Sequence, residues 1–304
     1  MTAAETLAGR RLAAGIGWML LTGLLFVCVT GIVRYLGSDM PATEAAFIRY
    51  VIGLAIVLPM MRPLLRRPPR LERLRLHAVR GVLHGTAVML WFYAMARVPI
   101  AEVTAIGYTA PIFVTLGAAL FLGEKLRLRR IVAVLTGFLG AFIILRPGFE
   151  AVSLGQLAQL TAAPLFAASF LLAKRLTDQD DPAVIVGLLS LFCTLTLLPA
   201  AILQWRTPSP EELFWLTLTA VFATAGHYTL TKALGAAPIT VTQPISFLQL
   251  VWAALLGMAA FGEALDPYVF AGGGIIVAAA TYISHREVLA ARRLQTPPAV
   301  ATKI

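Results

Sequence analysis

Long apolar runs, eighteen residues or more and largely free of charge, recur along the whole of this chain. A bilayer core about 30 Å thick asks for about 20 such residues in helical form. A lone strand there would leave its N–H and C=O groups without partners, so each run is expected to be a helix. The runs place ten helices at 13–36, 42–61, 78–96, 99–122, 128–145, 157–173, 184–203, 213–234, 238–261 and 268–283. Pro99, Pro182 and Pro238 stand at or near helix starts, where a missing N–H costs nothing. Composition agrees, with 59% apolar and 13% charged residues among 304, a balance that would leave a soluble domain with too much apolar surface in water. Arg10 and Arg11 before an apolar run look like the start of a signal peptide. The run to Leu36 is too long for one, so an uncleaved first helix is expected.

The formal charge of +10 in a soluble protein would raise nucleic acid as a partner. Here the basic residues gather in short loops, with no basic stripe interleaved with aromatics, and nucleic acid is not expected. With residue 1 on the cytoplasmic side, 19 of the 25 lysines and arginines fall on that side and 4 opposite, while Arg49 and Arg80 lie within helices. That asymmetry puts both termini in the cytoplasm and supports an even helix count. Cys28 and Cys193 each sit inside an apolar run, without a CxxC, and read as small core residues.

An internal repeat organises the chain. A slide of 139 residues puts Pro99 on Pro238, Ile100 on Ile239, Gly123 on Gly262 and Glu124 on Glu263. In the earlier helices a slide of 140 puts Phe26 on Phe166, Leu36 on Leu176 and Leu58-Pro59 on Leu198-Pro199. In the last helix of each half a slide of 137 puts Gly137 on Gly274. Five helices per copy is an odd number, so the second copy enters the membrane from the other side. The expected fold is therefore an all-α membrane protein of ten transmembrane helices in two inverted five-helix repeats. The repeats span residues 1–148 and 149–290, with a cytoplasmic tail at 291–304. Inverted repeats of this kind build transporters, because exchanging the conformations of the halves turns an outward-open state into an inward-open one.

The same residues resemble a known family. Phe92-Tyr93-Ala94-Met95-Ala96 followed by Pro99-Ile100-Ala101-Glu102 is similar to the junction of helices three and four in the ten-helix EamA-type branch of the drug/metabolite transporter superfamily. Tyr108-Thr109-Ala110-Pro111 and Leu122-Gly123-Glu124 resemble the middle and end of that family's fourth helix, and Phe261-Gly262-Glu263 repeats the ending. Arg49-Tyr50 resembles its basic-aromatic pair in helix two, whereas Leu250 stands where the family often has proline. The resemblance implies secondary transport, in either direction, of amino acids, flavins, S-adenosylmethionine, opine-type metallophores or drugs.

Polar residues deep in lipid are costly, and each is a functional candidate. His84 and His227 lie in the middle of helices three and eight, the slide putting His84 on Ala223, one turn before His227. They are expected to share a cavity and, with Glu102 in the first turn of helix four, to couple transport to protons. Neutral core histidines and a carboxylate serving the helix dipole are the plainer alternatives. Thr242, Ser246 and Gln249 form one polar stripe on helix nine, and Thr104, Tyr108 and Thr115 another on helix four. Helix-helix adhesion is the alternative for both stripes. Pro111 and Pro244 are expected to break these helices and free a carbonyl. Arg49 is expected at the cavity beside a carboxylate, backbone carbonyls or an anionic substrate group, with snorkelling to the surface as the alternative, while Arg80, closer to a helix end, is expected to snorkel. Among Trp91, Phe92, Tyr93, Tyr228 and Trp252, only Trp252 lies mid-helix, and it is expected to face substrate. Gly81 and Gly85 are expected to allow close packing, and the two Gly-Glu pairs to end helices.

No GxSxG, HExxH, paired-carboxylate or Walker A motif occurs, and all five aspartates lie in loops or at helix ends. A membrane-embedded enzyme is thus a remote alternative, and no cofactor, metal or ATP is called for. The first functional reading is an inner-membrane secondary transporter that exports an amino-acid-like or opine-metallophore-like compound. The alternative is import of a vitamin or nucleoside-like metabolite of riboflavin or S-adenosylmethionine type. The expected partners are a small-molecule substrate, the lipid bilayer and protons, for a monomer or homodimer. A fluorescent protein fused after Ile304 should fold and fluoresce, and alkaline phosphatase fused there should stay inactive. The opposite pattern would invert the orientation.

Overall fold

In a computed structural model, the structure describes residues 3–61, 70–110, 112–113, 128–146, 151–238, 242 and 245–295. The described residues form ten α-helices and one 3₁₀ turn, with no strand among them. They are α1 (Ala3–Leu36), α2 (Ala42–Val57, continued by the 3₁₀ turn Leu58–Met61), α3 (Leu71–Met95), α4 (Ile100–Gly107) and α5 (Leu128–Leu145). The second set is α6 (Leu154–Leu176), α7 (Pro182–Leu203), α8 (Pro210–Ala236), α9 (Leu248–Phe261) and α10 (Pro267–Gln295). By length and composition five segments can each cross a bilayer: Arg11–Leu36, Ala42–Met61, Leu154–Leu176, Pro182–Leu203 and Pro210–Ala236.

Polarity is inverted relative to a water-soluble protein. Large apolar side chains such as Leu135, Leu139, Phe142, Leu203 and Phe214 stand exposed on the outside, while Glu44, Arg49, His77, Arg80, His84 and His227 are buried. That arrangement suits a hydrocarbon surround, where the outer face need only be apolar. Cys28 is exposed on α1 and does not join the core as expected, whereas Cys193 is buried and donates to the carbonyl of Gly81 at 3.4 Å.

Helices five apart in the chain are interchangeable in the packing. α1 packs on α8 and α6 on α3; α1 on α9 and α6 on α4; α2 on α8 and α7 on α3. α2 packs on α7, α4 on α9 and α5 on α10. Where such partners meet they run antiparallel. Thr43 reaches Gln204 at one end of the α2–α7 contact and Gly187 faces Met61 at the other. Along α5 and α10, Gly137, Gly140 and Ile144 face Ala279, Ile276 and Gly272 in that order.

Two glycine contacts set helix spacing. A Cβ on Gly81 would lie 2.2 Å from Cβ of Phe192, so this residue lets α3 sit against α7. Gly140 and Gly272 face each other, a Cβ on either meeting the other's carbonyl oxygen at 2.6 or 2.5 Å. Gly262, with φ 64°, ends α9 in a left-handed turn, and the following N–H of Glu263 bonds to Gly257 O at 3.0 Å. Glu263 then bridges elements: Oε2 accepts from Ile100 N at 2.9 Å, capping α4, and Oε1 pairs with Arg34 Nε at 2.9 Å. Arg34 also donates to Met95 O, and Lys174 to Leu234 O, positions that correspond under slides of 140 and 139. Gly123 and Glu124, expected to end helix four in the same way, lie outside the described residues.

The α5–α10 contact generates a test. Gly140→Ala should lower the thermal midpoint of the detergent-purified protein, at a cost of about 1–3 kcal/mol from overpacking. Gly274→Ala on the open face of α10, where a Cβ meets nothing within 4 Å, should leave the midpoint unchanged or raise it.

Candidate functional site

One cavity of about 390 Å³ lies inside the bundle, walled by α1, α3, α4, α6 and α8 with Arg49 from α2 and Ser246 and Gln249 from the start of α9. Its volume falls within the range of about 300–1,000 Å³ usual for small-molecule sites. Among the described residues none of its wall comes from α5, α7 or α10.

Two helix interruptions shape the middle of the site. The hydrogen bonding of α4 tightens at Tyr108 and Thr109, whose N–H groups reach back three residues to Ala105 and Ile106. Ile112 N likewise bonds Thr109 O at 2.9 Å. In the second half the chain turns at Phe247 before α9 begins. Tyr108 and Phe247 correspond under the slide of 139, and they meet edge-to-face with centroids 4.8 Å apart. The Tyr108 hydroxyl donates to Ser246 O at 2.9 Å, satisfying a carbonyl at the other interruption. Pro111 and Pro244, the expected breaks, lie outside the described residues, as does Thr115.

Across the middle of the cavity four rings form a chain. Phe26 on α1 meets His227 on α8 at 5.2 Å and 74°; Phe166 on α6 meets His84 on α3 at 5.2 Å and 71°. The two imidazoles lie 5.0 Å apart at 73°. His84 Nδ1 hydrogen-bonds Ser169 Oγ at 3.1 Å, while His84 Nε2, His227 Nδ1 and Gln159 Oε1 are buried without a protein partner. Arg49 is 5% exposed with its guanidinium 4.0 Å above the Tyr50 ring, and Arg80 is 2% exposed and donates to Ile185 O at 3.3 Å.

Seven of the ten expected cavity residues line this space: Arg49, His84, Thr104, Tyr108, His227, Ser246 and Gln249. The other two described ones do not. Thr242 is buried elsewhere and donates to Pro238 O, and Trp252 is 41% exposed on the outer face of α9. Depth in a helix places a residue in the membrane but does not choose its face, and Trp91 and Phe92 line the cavity instead. Glu102 is also off the wall, held at the start of α4 by Gln156 Nε2 of the α6 capping box. Arg80 does not snorkel. α3 begins seven residues earlier than expected, at Leu71, so Arg80 lies a further two turns into the bundle. Sequence reasoning passed over Thr22, Phe26 and Thr30, a stripe of three residues spaced four apart on α1, and Gln159 and Phe166 on α6. The correspondence of Phe26 with Phe166 in the repeat was the available signal.

A buried cavity reached through broken, inversely paired helices is the arrangement of a secondary transporter. The EamA-like transporter family model matches the chain twice, over residues 13–146 and 153–285, and the chain belongs to that family. It is a multi-pass membrane protein of transporter type. A riboflavin transporter of Vibrio cholerae is 32% identical over 91% of this chain and 94% of its own length. An S-adenosylmethionine uptake transporter of Rickettsia bellii is 28% identical over 90% of this chain and 94% of its own. A solved crystal structure with 19% identity, a TM-score of 0.54, and coverage of 95% of this chain and 99% of its own shares the fold.

The two tryptophans separate wall from exterior. Trp91→Ala should reduce transport severalfold, while Trp252→Ala should leave initial rates near those of the parent protein, both measured in reconstituted vesicles.

Proposed function

We propose that this protein imports a flat-ring metabolite of vitamin or nucleoside type across the cytoplasmic (inner) membrane by alternating access between two inverted halves, residues 1–148 and 149–290. The observation that carries the reading is the Phe26–His227–His84–Phe166 chain of rings beside hydrogen-bonding groups that the protein leaves unused. Aromatic edges and faces grip a flat ring system, and amide and imidazole groups read its polar edge. The relatives named as riboflavin and S-adenosylmethionine transporters support this class, since both of those compounds carry a flat heterocycle. Export of an amino-acid-like or opine-metallophore-like compound, the first expectation from sequence, finds no support among them.

Of the three residues expected to couple transport to protons, only His84 and His227 are on the cavity wall, so coupling is assigned to that pair. Expressed in a riboflavin-requiring strain without its own transporter, the protein should restore growth at low riboflavin and give saturable uptake of tritiated riboflavin. An inward proton gradient should accelerate uptake, and His84→Gln with His227→Gln should remove the acceleration. Flavin lost to the medium on overproduction, with no uptake, would overturn the import reading.

A further inference from the structure

Each carboxylate among the described residues lies away from the cavity wall. Glu44 accepts from Arg206 N, Glu102 is held by Gln156, Glu263 pairs with Arg34, and Asp180 pairs with Arg73 and His77 at the start of α3. Among the described residues the wall carries two guanidiniums, Arg49 and Arg80, and no acid. Among the described residues neither arginine has an ion-pair partner. The Arg49 guanidinium lies over the face of Tyr50, and Arg80 donates to one backbone carbonyl while its Nε is buried without a partner among the described residues. Both share the cavity wall with His84 and His227.

An uncompensated charge at low dielectric is expensive, and a protein that keeps two together has an unmet demand for an anion. Guanidinium groups meet such a demand in a planar, two-bonded manner that suits carboxylate and phosphate alike. We infer that the transported compound carries an anionic group, carboxylate or phosphate, that docks between Arg49 and Arg80 while its ring lies against the Phe26–His227–His84–Phe166 chain. This rests on the ring-carrying reading above and adds an anionic pole to it. The two arginines then determine specificity: a neutral ring compound leaves the buried cations unsatisfied and binds less tightly than its anionic ester.

The test uses riboflavin and riboflavin 5′-phosphate, which share a ring and differ in one anionic group. Binding to the detergent-purified full chain is read by quenching of flavin fluorescence. The phosphate ester should bind roughly tenfold more tightly than riboflavin, or better. Arg49→Gln and Arg80→Gln should each reduce that preference, weakening binding of the phosphate ester more than binding of riboflavin. Because each variant removes an unpaired buried charge, the thermal midpoint of the empty protein should hold or rise. Equal affinity for the two flavins, or a preference that survives both substitutions, would overturn the inference. If neither flavin binds, the ring reading fails by itself, and inorganic phosphate then decides the anion site. A rise in thermal midpoint with phosphate in the parent protein that is absent in both variants sustains the inference, and no rise in the parent protein refutes it.

Discussion

Hydrocarbon offers a backbone N–H or C=O no partner, so a chain in a bilayer must satisfy these groups from within. Nearly every architectural feature here is a consequence. The described residues are helical apart from short connections between helices, and the two helix interruptions lie where other protein groups can reach them. Those interruptions, at Tyr108–Thr109 and at Phe247, correspond in the repeat and pack against each other. The Tyr108 hydroxyl donates to Ser246 O across the two. A break in a spanning helix is tolerated where it is buried in protein or lines a polar space. The cavity lies beside these interruptions because that is where irregular backbone can exist at this depth.

In the proposed alternating access the repeat relates the two conformations, and its departures from symmetry decide how evenly they are populated. Phe26–His227 and Phe166–His84 are matched in distance and close in angle, and Arg34 and Lys174 bind corresponding carbonyls. Other contacts have no counterpart. His84 bonds Ser169, whose equivalent under the slide of 140 is Val29. Thr22 bonds Thr229 at 2.8 Å, whereas the corresponding residues are Ala162 and Leu90. Hydrogen bonds between helices in a membrane are worth about 0.6 to 2 kcal/mol each. Such differences suffice to bias a two-state exchange severalfold without preventing it.

Much of the fold was legible in the sequence, because run length and charge placement report the bilayer directly. Helix number and most boundaries follow from those signals alone. The repeat was legible too, through Pro99 and Pro238 and the paired Gly-Glu endings. What failed was position around and along a helix. Arg80 looked superficial because hydropathy hid the first turns of α3, where Leu71–Leu76 carries Glu72, Arg73 and Arg75 on a helix that extends beyond the apolar run. Trp252 was placed by depth when facing mattered. The breaks illustrate a subtler limit. In α4 the interruption lies three residues before Pro111, but in the second half it lies three residues before Leu250, whose N–H still reaches Phe247 O at 3.1 Å. The second break has kept its place without the proline, sustained by tertiary contact that one residue's identity does not reveal.

Charge balance ties the site to the direction of transport. Moving one negative charge into an inside-negative cell costs about 2.3 kcal/mol per 100 mV. An anion drawn to Arg49 and Arg80 therefore enters against the potential unless a proton enters with it. His84 and His227 are on the same wall as both guanidiniums, their rings 5.0 Å from each other. Under the proposed coupling this pair carries that proton, so substrate binding and proton uptake assist each other, and by reciprocity each raises the affinity for the other. Under the same proposal the wall, acid-free among the described residues, keeps both cations open to the cargo: a carboxylate paired with Arg49 or Arg80 would have satisfied them permanently.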